Sequence, residues 1–307
     1  MGTALQVALV YLLPPLAAFF WFRWSSPAAK VDVLGRALLF LGFVIFMGRM
    51  AWLTKYGVYA PWLWAVGVIA GAVAVVPTLG HVPLFDGTRD LARAGGTAAA
   101  GVVLALLGSY FASEAHAPLP NPAHLTFPLR GPGTFLVLEG GTGSFFGLAV
   151  DGSAQRYGLD LVKIDALGFR ASSMWPTDPR AFAVLDEPVS APCDGTVLAA
   201  EDDRPDLPPS QTDSITPLGN FAAIGCPDVT VVLAQLRRGS LKTPKNTSVR
   251  VGEAVASVGA SGSGGEARLR IFAVRGQVST PEKLASLGEG IPVVFGDGPL
   301  ARGDRVP

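Results

Sequence analysis

Charge is what this sequence has least of. Only 16% of its 307 residues are Asp, Glu, Lys or Arg, against about 25% in an ordinary soluble domain. The shortage is confined to one part of the chain. Residues 1–124 hold seven Lys/Arg and four Asp/Glu, whereas residues 125–307 hold seventeen and twenty. A membrane-like part therefore precedes an ordinary water-soluble one, which excludes a wholly cytosolic enzyme, a disordered chain and a simple secreted protein. Neither part is strongly basic, the formal charges being +3 and −3, so nucleic acid is not an expected partner. No basic segment precedes the first apolar stretch, and its nearest charge, Arg23, follows it. A cleavable signal peptide is accordingly not expected. Cysteine is scarce as well. Cys193 and Cys226 both lie in the polar part, each beside an apolar, strand-like run. An even pair in an oxidising compartment can close a disulfide, and the alternative is two small buried thiols.

Four apolar stretches approach the roughly 20 residues that a helix needs to cross a bilayer: Ala4–Phe22, Ala37–Leu53, Tyr59–Leu79 and Ala94–Ala112. Together they make residues 1–112 a transmembrane helical domain whose first expected partner is the lipid bilayer. Trp62 and Trp64, near one end of the third stretch, suit the membrane interface. Arg49 lies inside the second, either marking a site within the membrane or snorkelling to the nearby interface. Pro14 and Pro15 interrupt the first, which a membrane helix tolerates where neighbours satisfy the freed carbonyls. Loop charge gives an orientation. Arg23, Lys30 and Arg36 follow the first stretch, Arg89 and Arg93 follow the third, and the loop after the second has only Lys55 with Arg49 at its edge. The first and third loops are thus expected in the cytoplasm. The polar part is then extracytoplasmic, on a bacterial cytoplasmic membrane.

Residues 113–134 hold five prolines and read as a linker. Beyond it, residues 135–307 show short β-type runs between Gly, Pro and Asp: Phe135–Leu138, Leu159–Ile164, Gly195–Ala199, Phe221–Ile224, Val229–Leu236 and Ala267–Val274. Strands of this length with frequent turns imply an all-β domain. The one helical pattern is Thr280–Leu287, with Pro281 suited to a first turn. Glu201–Asn220 is an acidic, proline-rich loop whose Asp202, Asp203 and Asp206 lack the spacing of a calcium loop. A solvated loop is the expectation. Asn246-Thr-Ser matches a glycosylation sequon that arises often by chance. Arg302-Gly-Asp304 matches an adhesion tripeptide but is expected to be a turn.

Six blocks, taken together, carry a resemblance. They are Ala154–Leu161 (AQRYGLDL), Glu187–Ala199 (EPVSAPCDGTVLA), Gly219–Ile224 (GNFAAI), Val231–Leu236 (VVLAQL), Val251–Gly262 (VGEAVASVGASG) and Glu266–Ile271 (EARLRI). In this order they resemble the lysostaphin/LytM-type zinc endopeptidases that cleave peptidoglycan cross-bridges, over roughly residues 130–306. A Pro-x-Asp-Gly-x-Val turn also occurs in lipoyl-like carriers, but no lysine sits on this one. The resemblance implies a two-layer, barrel-sandwich β domain with an open groove. It also implies a zinc held by a His, an Asp and the second His of a His-x-His pair. Three protein ligands would leave one position for a water that the metal acidifies.

The residues depart from that pattern at its centre. All three histidines, His81, His116 and His124, precede the β domain. Asp160 stands at a ligand position, Arg156 where the simplest pattern has His, and Gln235 where a catalytic His is implied. Arg268 and Arg270 replace the His-x-His pair. Arginine stays protonated and offers a metal no lone pair, so no metal, no cofactor and no zinc hydrolysis are expected. Even a linker histidine swinging inward would not rebuild the set. Arg156, Asp160, Gln235, Arg268 and Arg270 are expected to form either a salt-bridged plug or a fixed cationic groove that grips carboxylates. Arg237 and Arg238 would widen its rim or sit in an exposed turn. The leading expectation is a membrane-anchored, non-catalytic LytM-like protein that binds peptidoglycan or an envelope protein. Its alternatives are a docking subunit of a membrane complex and, less favoured, an active hydrolase.

Overall fold

The computed structural model describes residues 2–24, 29–85, 87–142, 154–281, 283–284, 288–296 and 298–307. It divides into two units, residues 1–113 and residues 114–307. The first unit contains four helices long and apolar enough to cross a membrane: α1 (Thr3–Trp24), α2 (Lys30–Arg49), α3 (Ala60–Leu79) and α4 (Thr88–Ala115). Their number matches the four apolar stretches, but α2 begins seven residues earlier than the apolar run and ends at Arg49. Charge does not forbid helix at these ends. Asp32 lies in the first turn of α2 and Arg49 in the last, where each complements the helix dipole.

The proline pair in α1 is accommodated as membrane physics requires. Pro14 has no N–H to give the carbonyl of Val10, four residues earlier. A π-helical turn spans Val7–Leu12, and the indole Nε1–H of Trp64 in α3 donates to the Val10 oxygen at 2.9 Å. Trp64 thus turns its ring nitrogen toward α1, while Trp62 stays exposed. Glycines set the helix spacing. A Cβ on Gly67 would lie 2.5 Å from Pro15 Cα, and one on Gly42 would lie 2.0 Å from the Gly101 carbonyl oxygen. Small residues let membrane helices approach this closely. The outward residues Leu12, Val66, Val73 and Leu106 remain exposed, as lipid-facing side chains would be.

The second unit is β-rich. Its strands are β1 (Ala123–Leu125), β2 (Thr134–Glu139), β3 (Leu159–Ile164), β4 (Pro188–Ser190), β5 (Gly195–Glu201), β6 (Asn220–Cys226) and β7 (Val229–Leu236). They continue with β8 (Ser248–Val249), β9 (Ala254–Ser257), β10 (Leu269–Arg275), β11 (Gly290–Ile291), β12 (Val293–Phe295) and β13 (Arg305–Val306). The main sheet runs β13-β2-β3-β10-β7-β6-β5-β8, with β11 also on β10. Every strand in it lies antiparallel to its neighbours. The sheet is open, as expected, with β13 and β8, two residues each, at its edges. Edge strands that short present few unpaired backbone groups to another chain.

Both faces of the central strands are buried. Phe221, Ala223, Val232, Ala234, Phe272 and Val274 pack on one face. Ala222, Ile224, Val231, Leu233, Ile271 and Ala273 lie buried between them in sequence. Two-sided burial explains why these segments read as continuous apolar runs. The expected linker, residues 113–134, is partly built into the fold. β1 pairs in parallel with β12, and Leu129 is buried in an isolated bridge to Val189. Prolines lack a donor but not an acceptor: Ala123 N–H donates to the Pro292 carbonyl, and Thr126 N–H to that of Pro192. Cys193 and Cys226 form a disulfide with their Cα atoms 6.1 Å apart. The expected helix Thr280–Leu287 lies largely outside the described residues, although Leu284 N–H does donate to the Thr280 carbonyl.

Candidate functional site

Strand register brings the departed positions together. Asp160 on β3 stands opposite Arg270 on β10, and Glu139 of β2 stands on its other side. Arg268, just before β10, and Arg270 on it are two apart in extended chain, so they share one face. Phe272 and Val274 continue that face into the apolar core. Asp160 is fully buried. Its Oδ1 accepts from Arg270 Nε at 2.7 Å and its Oδ2 from Arg270 Nη2 at 2.8 Å. Arg268 Nη1 adds a third contact to Oδ2 at 2.6 Å, with Glu139 Oε2 at 3.9 Å on its other side.

The remaining guanidinium nitrogens of both arginines also find acceptors. Arg270 Nη1 donates to Gln155 Oε1 at 3.1 Å. Arg268 Nε donates to Gln235 Oε1 at 3.2 Å, and its Nη2 donates to the Gly264 carbonyl. Burial alone would raise the pKa of Asp160. The charges of Arg268 and Arg270 and the hydrogen bond from Arg270 outweigh it and hold the carboxyl below the ordinary carboxylate range. Arg270 shifts the opposite way: burial lowers its pKa, and the charge and hydrogen bonds of Asp160, with Glu139, raise it further.

Gln235 reaches this cluster through a local irregularity. The β6–β7 register shifts there, with Phe221 opposite Ala234 and Asn220 opposite Leu236, so Gln235 is the extra residue of a bulge. Its φ of 63° lies in the left-handed region, a strained conformation for glutamine. Bulges re-aim side chains, and this one sends Gln235 to Arg268. Its Nε2 has no acceptor among the described residues.

Arg156 lies with its guanidinium 5.0 Å from the centroid of the Tyr157 ring. Arg237 pairs with Asp186 in an exposed contact. Neither linker histidine is in the cluster: His116 Nε2 meets Asp304 Oδ2 at 2.8 Å, and His124 lines a separate cavity beside the disulfide. Asp304 N–H also donates to the Ala301 carbonyl at 3.0 Å, the turn expected for Arg302–Asp304.

Some participants escaped the sequence reading. Arg170 and Glu266 form a second buried pair at 2.8 Å, each less than a tenth exposed. Glu266 stands two residues before Arg268 in the same sequence block, which was the available signal. Gln155 likewise sits beside Arg156. The acidic loop is exposed over much of its length, as expected, and is anchored at several points. Asp206 Oδ1 accepts from Ala260 N–H at 2.7 Å, and Asp213 Oδ1 accepts from Ile215 and Thr216. At its end the buried Asn220 side chain accepts from Arg204 N–H and donates to the Arg204 and Leu236 carbonyls.

Zinc does not suit this donor set. The cluster offers one buried carboxylate already engaged by two guanidinium groups, with the Gln235 amide and the more exposed Glu139 beside it. Among the described residues, no group of three or more His, Cys, Asp or Glu side chains is placed to hold a metal ion.

No family model and no curated protein matches the chain. Solved structures similar to it include the catalytic domain of the prophage-encoded protein EnpA from Enterococcus faecalis, in mutant form. That domain is 16% identical, covering 59% of this chain and 95% of that one, with a TM-score of 0.28. The antimicrobial peptidase lysostaphin from Staphylococcus simulans is 12% identical, covering 57% and 52%, with a TM-score of 0.26. A complex of SpoIIIAH and SpoIIQ supplies a third, 15% identical, covering 51% and 95%, with a TM-score of 0.31.

Proposed function

We propose that this chain is a membrane-anchored, non-catalytic LytM-like protein whose β unit binds rather than cleaves. One observation carries the reading. The carboxylate that would ligate zinc in the family it resembles is instead held by Arg268 and Arg270 at 2.6–2.8 Å. A protonated guanidinium cannot become a ligand, and the nearest amide, Gln235, cannot serve as a general base. The arrangement is a closed ion-pair plug without metal or cofactor. It keeps the scaffold in shape for a surface that grips peptidoglycan or an envelope protein outside the cytoplasm. The loop charges support that side of the membrane.

A second reading makes the β unit a docking module in a membrane complex. It is favoured by the helical unit, because one helix would suffice as an anchor and four are present.

The test uses the full-length chain purified in detergent. Elemental analysis is expected to give far less than one zinc per chain, and incubation with peptidoglycan to release no fragments. Sedimentation with sacculi, or an envelope protein co-purifying from mild detergent, is expected to report binding. Stoichiometric zinc with cleavage that a chelator abolishes would overturn the proposal. A lone monomer that retains neither sacculi nor any partner would overturn both binding readings.

A further inference from the structure

Away from the Asp160 cluster, the β unit has a cavity of 870 Å³ whose wall includes both halves of the disulfide. His124, Asp228, Arg275 and Gln277 line it with them. A space of this size admits a small molecule or a protruding loop. The two cysteines differ in exposure. Cys226 ends the buried strand β6 and is 3% exposed, with its Sγ 3.8 Å from the Ile224 carbonyl oxygen. Cys193 lies half-buried in the turn between β4 and β5. Most disulfides that only brace a fold are shielded from thiols, and access decides how fast exchange proceeds.

We propose that this cavity is a thiol–disulfide exchange site, taking small thiols or the dithiol of a redox partner and reacting at Cys193. The step balances as follows. A thiolate of the incoming dithiol bonds to Cys193 Sγ, the Cys193–Cys226 bond breaks, and Cys226 leaves as a thiolate. The second thiol of the reductant, or a second molecule where the reductant is a monothiol, then attacks the mixed disulfide and releases Cys193. Two electrons pass to the protein, the reductant departs as its disulfide, and its two protons end on the two cysteines.

Reduction has a defined structural reach. The turn at Cys193 accepts from Thr126 N–H through Pro192 and from Val251 N–H through Asp194 Oδ1. Opening the bridge frees that turn from β6, and with it one restraint on the segment after β1. The site is independent of the reading offered above for Asp160, and its test does not depend on peptidoglycan or zinc.

The experiment follows reduction of the folded full-length chain in detergent by dithiothreitol, quenched and read by mass spectrometry. The rate is expected to rise in proportion to dithiothreitol concentration under native conditions. A rate that stays flat as the reductant rises, set by unfolding, would overturn the proposal. The Cys226→Ser and Cys193→Ser variants give a second readout that survives a loss of stability. With oxidised glutathione, the thiol left at Cys193 is expected to form an adduct at least tenfold faster than the thiol left at Cys226. Equal rates, or a faster Cys226, would also overturn it. Denaturant is expected to abolish the difference, which shows whether each variant was folded at the outset.

Discussion

Arg270 meets Asp160 in a forked pair, Nε on one carboxylate oxygen at 2.7 Å and Nη2 on the other at 2.8 Å. Forked, charge-assisted pairs fix geometry as well as charge. Their net stability is another matter, since taking both ions from water costs much of what their attraction returns. The asymmetry lies in breaking the pair. Asp160→Asn leaves two buried guanidinium groups facing a neutral amide and is expected to destabilise the β unit by about 3–5 kcal/mol. Replacing all three together, Asp160→Leu with Arg268→Met and Arg270→Met, is expected to restore most of that loss. Urea unfolding followed by fluorescence measures both, and a mild Asp160→Asn with a severe triple variant would contradict the plug.

Acid should act through the same carboxylate. Its folded pKa is lowered, so the folded state holds its proton less tightly than the unfolded chain does. The resulting stability is fully present above the unfolded value of about 3.9. It is lost as pH falls below that value and through the folded one. Unfolding free energy measured between pH 6 and pH 2 is expected to decline most steeply at the acid end. The triple replacement should flatten that decline, and an unchanged slope would assign it to other carboxylates.

The bond from Trp64 to the Val10 carbonyl makes a prediction inside the helical unit. Trp64→Phe removes the donor and is expected to cost about 1 kcal/mol, typical of a polar contact between membrane helices. Pro14→Ala restores a backbone N–H four residues from Val10, so in that background Trp64→Phe should cost measurably less. Thermal inactivation of detergent-solubilised single and double variants forms the cycle that reads this coupling.

Close helix approach is tested by contrast. Gly42→Val places atoms where a Cβ alone would lie 2.0 Å from the Gly101 carbonyl oxygen, whereas a Cβ on Gly95 meets nothing within 4 Å. Gly42→Val is expected to lower the yield of folded protein several-fold, and Gly95→Ala to leave it unchanged. Size-exclusion chromatography of both would show it.

The sequence disclosed elements better than it disclosed their neighbours. Val229–Leu236 matched its strand at both ends because an apolar run buried on two faces has no other use in a β domain. Lys30 and Asp32 hid the start of α2, because a search for uncharged residues stops where dipole-compatible charges begin. The prolines of residues 113–134 suggested a linker, yet a proline keeps its acceptor, and the Pro128 carbonyl takes the Ser190 N–H at 2.9 Å. At the site, Asp160, Arg268 and Arg270 were legible from the blocks that contain them. The partnership of Arg170 with Glu266 was not, since no local pattern records which distant residue a buried charge will meet. Nor does a sequence mark the bulge that turns Gln235 toward Arg268.

The pairing of β1 with β12 and of β2 with β13 sets an order of events during synthesis. The opening strands of the β unit wait, with their hydrogen-bonding edges unfilled, until residues 293–306 have left the ribosome. Contacts this far apart in sequence form slowly, so this unit can be completed only after residues 293–306 have been made. An interval of exposed strand edges precedes that moment, and unpaired edges of this kind are where a folding chain pairs wrongly.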